Sequence, residues 1–129
     1  MDERVRYINI RVICQAELQE KELWFLISSE VKRLFGTLGA AEVGLFLSYF
    51  DQKNQCGIFR SSHRYVHRVK AILCFIHFHR NIPIFLFSES VSGSIKKAKE
   101  LLKGLKSIKR YQSLKKILYT NRELSFNDE

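Results

Sequence analysis

V-R-Y-I-N-I-R-V-I-C, Val5 to Cys14, alternates so that Ile8, Ile10, Val12 and Cys14 fall on one side and Tyr7, Asn9 and Arg11 on the other. A period of two with one apolar side describes a β-strand that buries a single face. The period then changes. From about Gln19 to Phe35 the residues Leu23, Trp24, Ile27, Val31, Leu34 and Phe35 give a helix one wide apolar face. Gly36 and Gly39 mark its end. Glu42 to Phe50 alternates again, with Val43, Leu45, Leu47 and Tyr49 on one side. Past the polar turn Asp51–Gln55, the stretch Cys56–Ser61 returns as the second arm of a hairpin.

Ser62 is placed to cap a helix over about His63 to Phe78, with Val66, Val69, Leu73 and Ile76 as its core stripe. Phe75 and Phe78 fall off that stripe, so the end of this helix is apolar nearly all round and asks to be buried by a partner or by the tail. Ile82–Ser88 is a last strand, apolar on both faces, and Pro83, which has no N–H for a ladder, points to a sheet edge. The order β-α-β-β-α-β-α predicts an α+β protein: a ferredoxin-like, RRM-like αβ sandwich (βαββαβ, antiparallel sheet) with an added basic C-terminal helix. The first and third strands are central in that arrangement. One sheet face lies under two helices, and Tyr7, Asn9, Arg11, Phe46 and Phe50 are expected to line the other.

The added helix carries the strongest functional signal. V-S-G-S-I-K-K-A-K-E-L-L, Val91 to Leu102, joins a Ser/Gly turn to a helix with Lys96, Lys99, Lys103, Lys106 and Arg110 at three- and four-residue steps, on one face. Ile95, Ala98, Leu102 and Leu105 form the opposite, docking stripe. Residues 91–122 hold ten Lys and Arg against one acid, Glu100, a net of +9, which equals the formal charge of the whole chain. A helix N-terminus offers unpaired N–H groups and the positive end of the helix dipole. Continued in lysine, it suits phosphates or another extended polyanion. The bland reading of the same residues is a solvated lysine-rich face.

At 129 residues, with 46% hydrophobic content, ten Phe and five Tyr, the chain has material for one real core. We expect one domain over residues 1–110 and an extension over 111–129, in part helical. The N-terminus M-D-E-R-V-R lacks an apolar leader and no stretch reaches membrane-span length, so a cytoplasmic protein off the membrane is expected. Cys14, Cys56 and Cys74 form no C-x-x-C and, in a reducing compartment, read as small core residues. His63 and His67, four apart, have no further ligand at metal spacing, so no metal site is expected. No G-x-S-x-G elbow, P-loop or carboxylate pair is visible, so no catalytic residue is assigned. The third strand, C-G-I-F-R-S, lacks the aromatic RNA-recognition pattern, so phosphate contact through the basic helix, with Arg60 and Arg64 as additions, is favoured over base stacking.

The residues resemble the ribonuclease P protein component 2 family, the archaeal counterpart of the eukaryotic Pop-five subunit. The resemblance covers about residues 4–105 and rests on R-Y-I at Arg6–Ile8, G-I-F-R at Gly57–Arg60, H-R-Y-V-H-R-V-K-A-I-L from His63, and V-S-G-S-I-K-K from Val91. Ser94 stands where many members have Thr, and Ser61 where Cys is frequent. The resemblance implies a subunit of the ribonucleoprotein that removes 5′ leaders from precursor tRNA, with the RNA and its Mg²⁺ doing the chemistry and no cofactor on the protein. It implies ribonuclease P RNA and protein component 3 as partners, the latter in a dimer of heterodimers, together with other ribonuclease P proteins and, indirectly, precursor tRNA. Ser92, Gly93, Ser94, Lys96, Lys97, Lys99 and Lys103 would meet RNA; Phe75, Phe78, Phe85 and Phe87 would meet protein. The rival readings are a general RNA-binding domain and a dimerisation or ligand-sensing domain without RNA.

Overall fold

The computed structural model describes residues 4–102. β1 (Val5–Cys14) is followed by α1 (Glu20–Val43), β2 (Phe46–Asp51) and β3 (Cys56–Ser62). A 3₁₀ turn at His63–Tyr65 leads into α2 (Val66–Leu73), then β4 (Phe78–His79), β5 (Ile82–Ser92) and α3 (Ile95–Leu102). All strand pairs are antiparallel, in the order β2-β3-β1-β5-β4. This is the ferredoxin-like sandwich with one short strand added at an edge.

The alternation of β1 sets both layers. Ile8, Ile10, Val12 and Cys14 enter the main core with Leu23, Ile27 and Val31 of α1 and Val69, Ile72 and Leu73 of α2. On the opposite face α3 lays Ala98 and Leu102 over Cys56 and Ile58, flanked by Tyr7, Tyr49 and Ile95. The face that the sequence left open is thus covered, around Tyr7 and Asn9, by the basic helix itself. Gly57 sits where a Cβ would stand 3.1 Å from Leu23, Leu47 and Phe59 side chains, so a larger residue there would require those side chains to give way.

Several boundaries differ from expectation. α1 does break at Gly36, at φ 73°, but the chain resumes a helix as far as Val43 and ends on Gly44 at φ 61°. Val43 is therefore the last helical residue and β2 begins at Phe46. The register of β2 slips between Leu47 and Tyr49. Leu47 and Phe50 both face the main core, whereas Tyr49 faces α3. One extra residue reverses which side every later side chain meets. Phe50 accordingly packs under α1, and the Phe46 ring lies edge-on to Trp24 of α1 at 6.4 Å; neither lines the α3 face as expected.

The second helix is shorter than its apolar pattern. It ends at Leu73, and Ser62 precedes it with no side-chain cap bond. Phe78 belongs to β4, a two-residue strand joined to β5 through Arg80 and Asn81, at φ 51° and 65°. Positive φ at both central residues is what a tight hairpin turn requires. The last strand is therefore not the edge at its start, and Pro83 needs another reason. Ile84 pairs with Cys14, the final residue of β1, so Pro83 lies past the end of that ladder and its missing N–H costs nothing.

His79 Nε2 lies 2.9 Å and Arg80 Nη2 3.4 Å from Glu22 Oε2, which ties this hairpin to the first turn of α1. The hydrogen bond with His79, the Gln19 N–H and the Arg80 charge hold the Glu22 carboxyl below its ordinary value of 4.5. A depressed carboxylate gives stability that is present above its unfolded pKa and is lost as pH falls through the folded one. Unfolding of Glu22→Gln should therefore depend less steeply on pH below about 4.5 than the parent chain does, read from urea midpoints on that limb. Equal slopes would remove Glu22 from the acid response.

Cys56 is wholly buried, and burial pushes its thiol up to about 12 despite the Arg11 charge nearby. Cys14 is also buried, but Cys74 is exposed and not a core residue, because α2 ends at Leu73 and leaves it at the cap. A thiol reagent at neutral pH should find one cysteine, Cys74, in the folded chain and all three after denaturation. Fast reaction at Cys56 would show that α3 opens readily.

A candidate nucleic-acid interface at the end of the sheet

The antiparallel register gathers the N-terminal end of β1 and the C-terminal ends of β3 and β5. Val5 pairs with Ser62, and Tyr7 pairs with Arg60 on one side and Ser92 on the other. The His63 N–H donates to Arg4 O at 3.0 Å. Arg4, Arg6, Arg60, His63, Arg64, Lys96 and Lys97 consequently share one end of the molecule, brought there from three separate stretches of chain. Arg4, Arg60, His63, Arg64, Lys96 and Lys97 are exposed. Arg60 and Ser92 flank the same β1 residue, so their backbones stand about 10 Å apart.

Ser92, Gly93 and Ser94 play three different parts. Ser92 closes β5, and its buried hydroxyl has no hydrogen-bond partner among the described residues. Gly93 and Ser94 are exposed. Ser94 caps α3: its Oγ accepts from the Lys97 N–H at 3.2 Å, and its carbonyl from the Ala98 N–H at 3.1 Å. The remaining first-turn N–H groups point out of the helix, toward any anion set at its end. Ser94→Ala should cost about 1 kcal/mol of stability through the lost cap, whereas Ser92→Ala should change it by less than about 0.5 kcal/mol. Equal losses in denaturant titration would reverse these two assignments.

Of the lysines, Lys96 and Lys97 are exposed at the helix start, while Lys99 Nζ lies 4.9 Å above the Tyr49 ring. A cation–π contact holds Lys99 over β2, three strand positions from β5 and its Gly93 turn. Lys103, Lys106, Arg110 and Leu105 lie outside the described residues, as does the expected extension over 111–129. Arg6 was quoted as part of a motif but not assigned to the site. A Cβ added at Gly93 would stand 3.9 Å from Arg6 Nη1, which makes Arg6 the cation nearest the turn. Its signal in the sequence was only its place one residue before Tyr7, readable once the register is known.

The same sheet face carries a buried ion pair. β5 bulges opposite Asn9 and Ile10, leaving Glu89 as the extra residue. Both Glu89 oxygens accept from Arg11, at 3.0 and 2.8 Å, and Arg11 Nη1 donates to Asn54 O at 3.2 Å. Asn9 Nδ2 donates to Ala98 O at 3.1 Å and so fastens α3 to the sheet. These polar groups are spent on holding the layers together.

The expected protein-facing aromatics divide similarly. Phe75, Phe78 and Phe85 are exposed, Phe78 by 64%, and Phe87 is half-buried. The Phe85 and Phe87 rings stack at 5.6 Å. A second apolar surface was missed: Phe25 is 72% and Leu38 83% exposed, both on α1. Phe25 lies off the Leu23–Ile27–Val31 stripe, which was the available clue.

Among the described residues, no group of three or more His, Cys, Asp and Glu stands close enough to hold a metal ion, and no helix is long and apolar enough to cross a membrane. What the geometry does offer is cations of both kinds, fixed at strand ends and at a capped helix start, with the two chemistries of charge and N–H donation side by side. Fold and site together define a ferredoxin-like αβ protein with one basic end.

Comparison with known proteins places it more narrowly. The family model described as Rpp14/Pop5 family matches residues 6–103, and the chain belongs to that family. It is 34% identical to ribonuclease P protein component 2 of Methanocaldococcus jannaschii, over 84% of this chain and 80% of the relative. It is 32% identical to the protein of the same name from Methanococcus aeolicus, over 76% of this chain and 71% of that one. In structure it resembles a chain in yeast ribonuclease MRP with a TM-score of 0.59, at 14% identity and with 95% of each chain covered, a likeness of fold.

Proposed function

We propose that the chain is a protein subunit of ribonuclease P, which binds the catalytic RNA and supports removal of 5′ leaders from precursor tRNA. The observation that carries this reading is the gathering of Arg6, Arg60, Arg64, Lys96 and Lys97 at the end of the sheet that bears the Gly93 turn, in a member of the Rpp14/Pop5 family. A folded RNA crowds its phosphates at a repulsive cost, and fixed cations offset that cost as added Mg²⁺ would. Hydrolysis and its Mg²⁺ belong to the RNA subunit; the protein supplies position and charge. Ser94, with the first-turn N–H groups of α3, meets a phosphate, and the flanking cations extend the contact. Precursor tRNA is engaged through the RNA, not directly by this chain.

Protein component 3 is the expected protein partner, in a dimer of heterodimers, with further ribonuclease P proteins around it. The exposed Phe75, Phe78 and Phe85, with the half-buried Phe87, supply the apolar surface such a partner needs. The test is cleavage of precursor tRNA at limiting Mg²⁺ by the cognate RNA alone, with component 3, and with component 3 plus this chain. Cleavage that appears only with both proteins supports the reading. If this chain binds RNA yet adds nothing, and unrelated structured RNA competes equally, it is a general RNA-binding domain.

A further inference from the structure

β5 is paired with β1 from Ile84 to Ser92, but its other side is covered only at its start. β4 meets Ile82 and Pro83, and the Ile84 N–H donates outward to His77 O at 2.9 Å. Backbone groups alternate sides along a strand. With Ile84 facing out, Leu86 and Ser88 face out as well, and no strand of the described residues lies beyond them. Proteins ordinarily guard such an edge with charge, proline or a covering element. Leu86, Phe87 and Ser88 carry none of these.

A groove of about 390 Å³ runs beside this edge, between β5 and the end of α2. Its apolar lining includes Leu73, Ile76 and Leu86; its charged or titratable lining is Lys70, Cys74 and His77, with no carboxylate among the described residues. We propose that an extended segment of a partner protein adds to this edge as the next strand, in line with β4. Its alternate apolar side chains would enter the groove, and acidic residues would face Lys70 and His77. The inference rests on the reading of the chain as a subunit of a larger assembly, and it specifies how a protein neighbour docks.

The chemistry separates this occupant from others. An apolar groove offers little to a phosphate backbone, which the opposite, cationic end of β5 serves better. A second copy would bring a like cationic rim and a second net charge of +9 to the same edge. An acidic, apolar strand satisfies the open backbone groups, the groove and the charge together.

The test is amide hydrogen exchange at Leu86 and Ser88, in the full chain alone, with ribonuclease P RNA, and in the reconstituted, cleavage-competent particle with all protein subunits. Exchange should slow by about tenfold or more in the particle and stay unchanged with RNA alone. Lys70→Glu should weaken the hold of the protein subunits on this chain about fivefold or more without altering RNA affinity. Protection by RNA alone, concentration-dependent protection in the isolated chain (a second copy), or concentration-independent protection there (the chain's own residues 103–129) would each overturn the proposal. So would unprotected amides in an active particle, which would leave the ribonuclease P reading standing. A particle whose cleavage never depends on this chain would instead remove that reading.

Discussion

Replacing Glu89 by alanine should lower the unfolding free energy by about 3–5 kcal/mol, because it strands a buried guanidinium. Arg11 and Glu89 side chains are 1% and 9% exposed, and the pair is bidentate. Taking two charges out of water is costly, and their attraction repays that cost only while both are present. With the carboxylate gone, the Asn54 carbonyl, at 3.2 Å, remains as an acceptor but brings no opposite charge. The control is the double variant Arg11→Met, Glu89→Leu, in which neither charge is buried. It should recover most of the lost stability, since apolar pairs of similar volume commonly match buried ion pairs. Urea unfolding of the three proteins measures both numbers. A Glu89→Ala chain within about 1 kcal/mol of the parent would mean that water reaches Arg11 in the folded state.

The second large effect is on RNA affinity. Each phosphate neutralised by a fixed cation adds about 0.7–0.9 to the slope of log K against log salt. Neutralising Arg6, Lys96 and Lys97 together should lower that slope by about 2–3 units and weaken binding most at low salt. Lys99→Gln should change it less, because its ammonium already rests on the Tyr49 ring. A slope that is unchanged in the triple variant removes the Gly93 end from the interface. A larger loss at Lys99 than at Lys96 would move the RNA path along the exposed face of α3, away from the sheet end.

How far the sequence could be read depended on where each element sits. The inward face of β1 was legible, since Ile8, Ile10, Val12 and Cys14 alternate as a helix-covered side requires. The burial of Asn9, Arg11 and Ile13 on its other face was not, because the cover there comes from residues distant in the chain. The α3 stripe of Ile95, Ala98 and Leu102 was legible for the same reason as that inward face, and Ala98 and Leu102 are buried as their spacing required. β2 misled because a single extra residue before Tyr49 reverses the faces, and alternation carries no mark of a bulge. The stretch from Cys74 to Phe78 kept a helix-like apolar content, but the Arg80–Asn81 turn draws it back into a hairpin with β5. Local propensity did not decide between those outcomes; pairing with the sheet did.

The basic helix and its Ser-Gly-Ser start were plain in the sequence, yet which cations work with it was not. Arg6 and Arg60 reach the same end as Lys96 only through the pairing of Tyr7 with Arg60 and Ser92. Glu89 likewise looked like a lone acid until its bulge turned it onto Arg11.

By itself, the sequence determined the class of fold, the inward stripe of β1, the docking stripe of α3 and the presence of a lysine-rich helix, because hydrophobic period and local charge density are properties of contiguous residues. The tertiary structure alone decided the composition of the site, the fate of the open sheet face and the unguarded edge of β5. Those depend on strand register, which is set by contacts between residues far apart in the chain, and one residue of slip in that register changes the neighbours of every side chain beyond it.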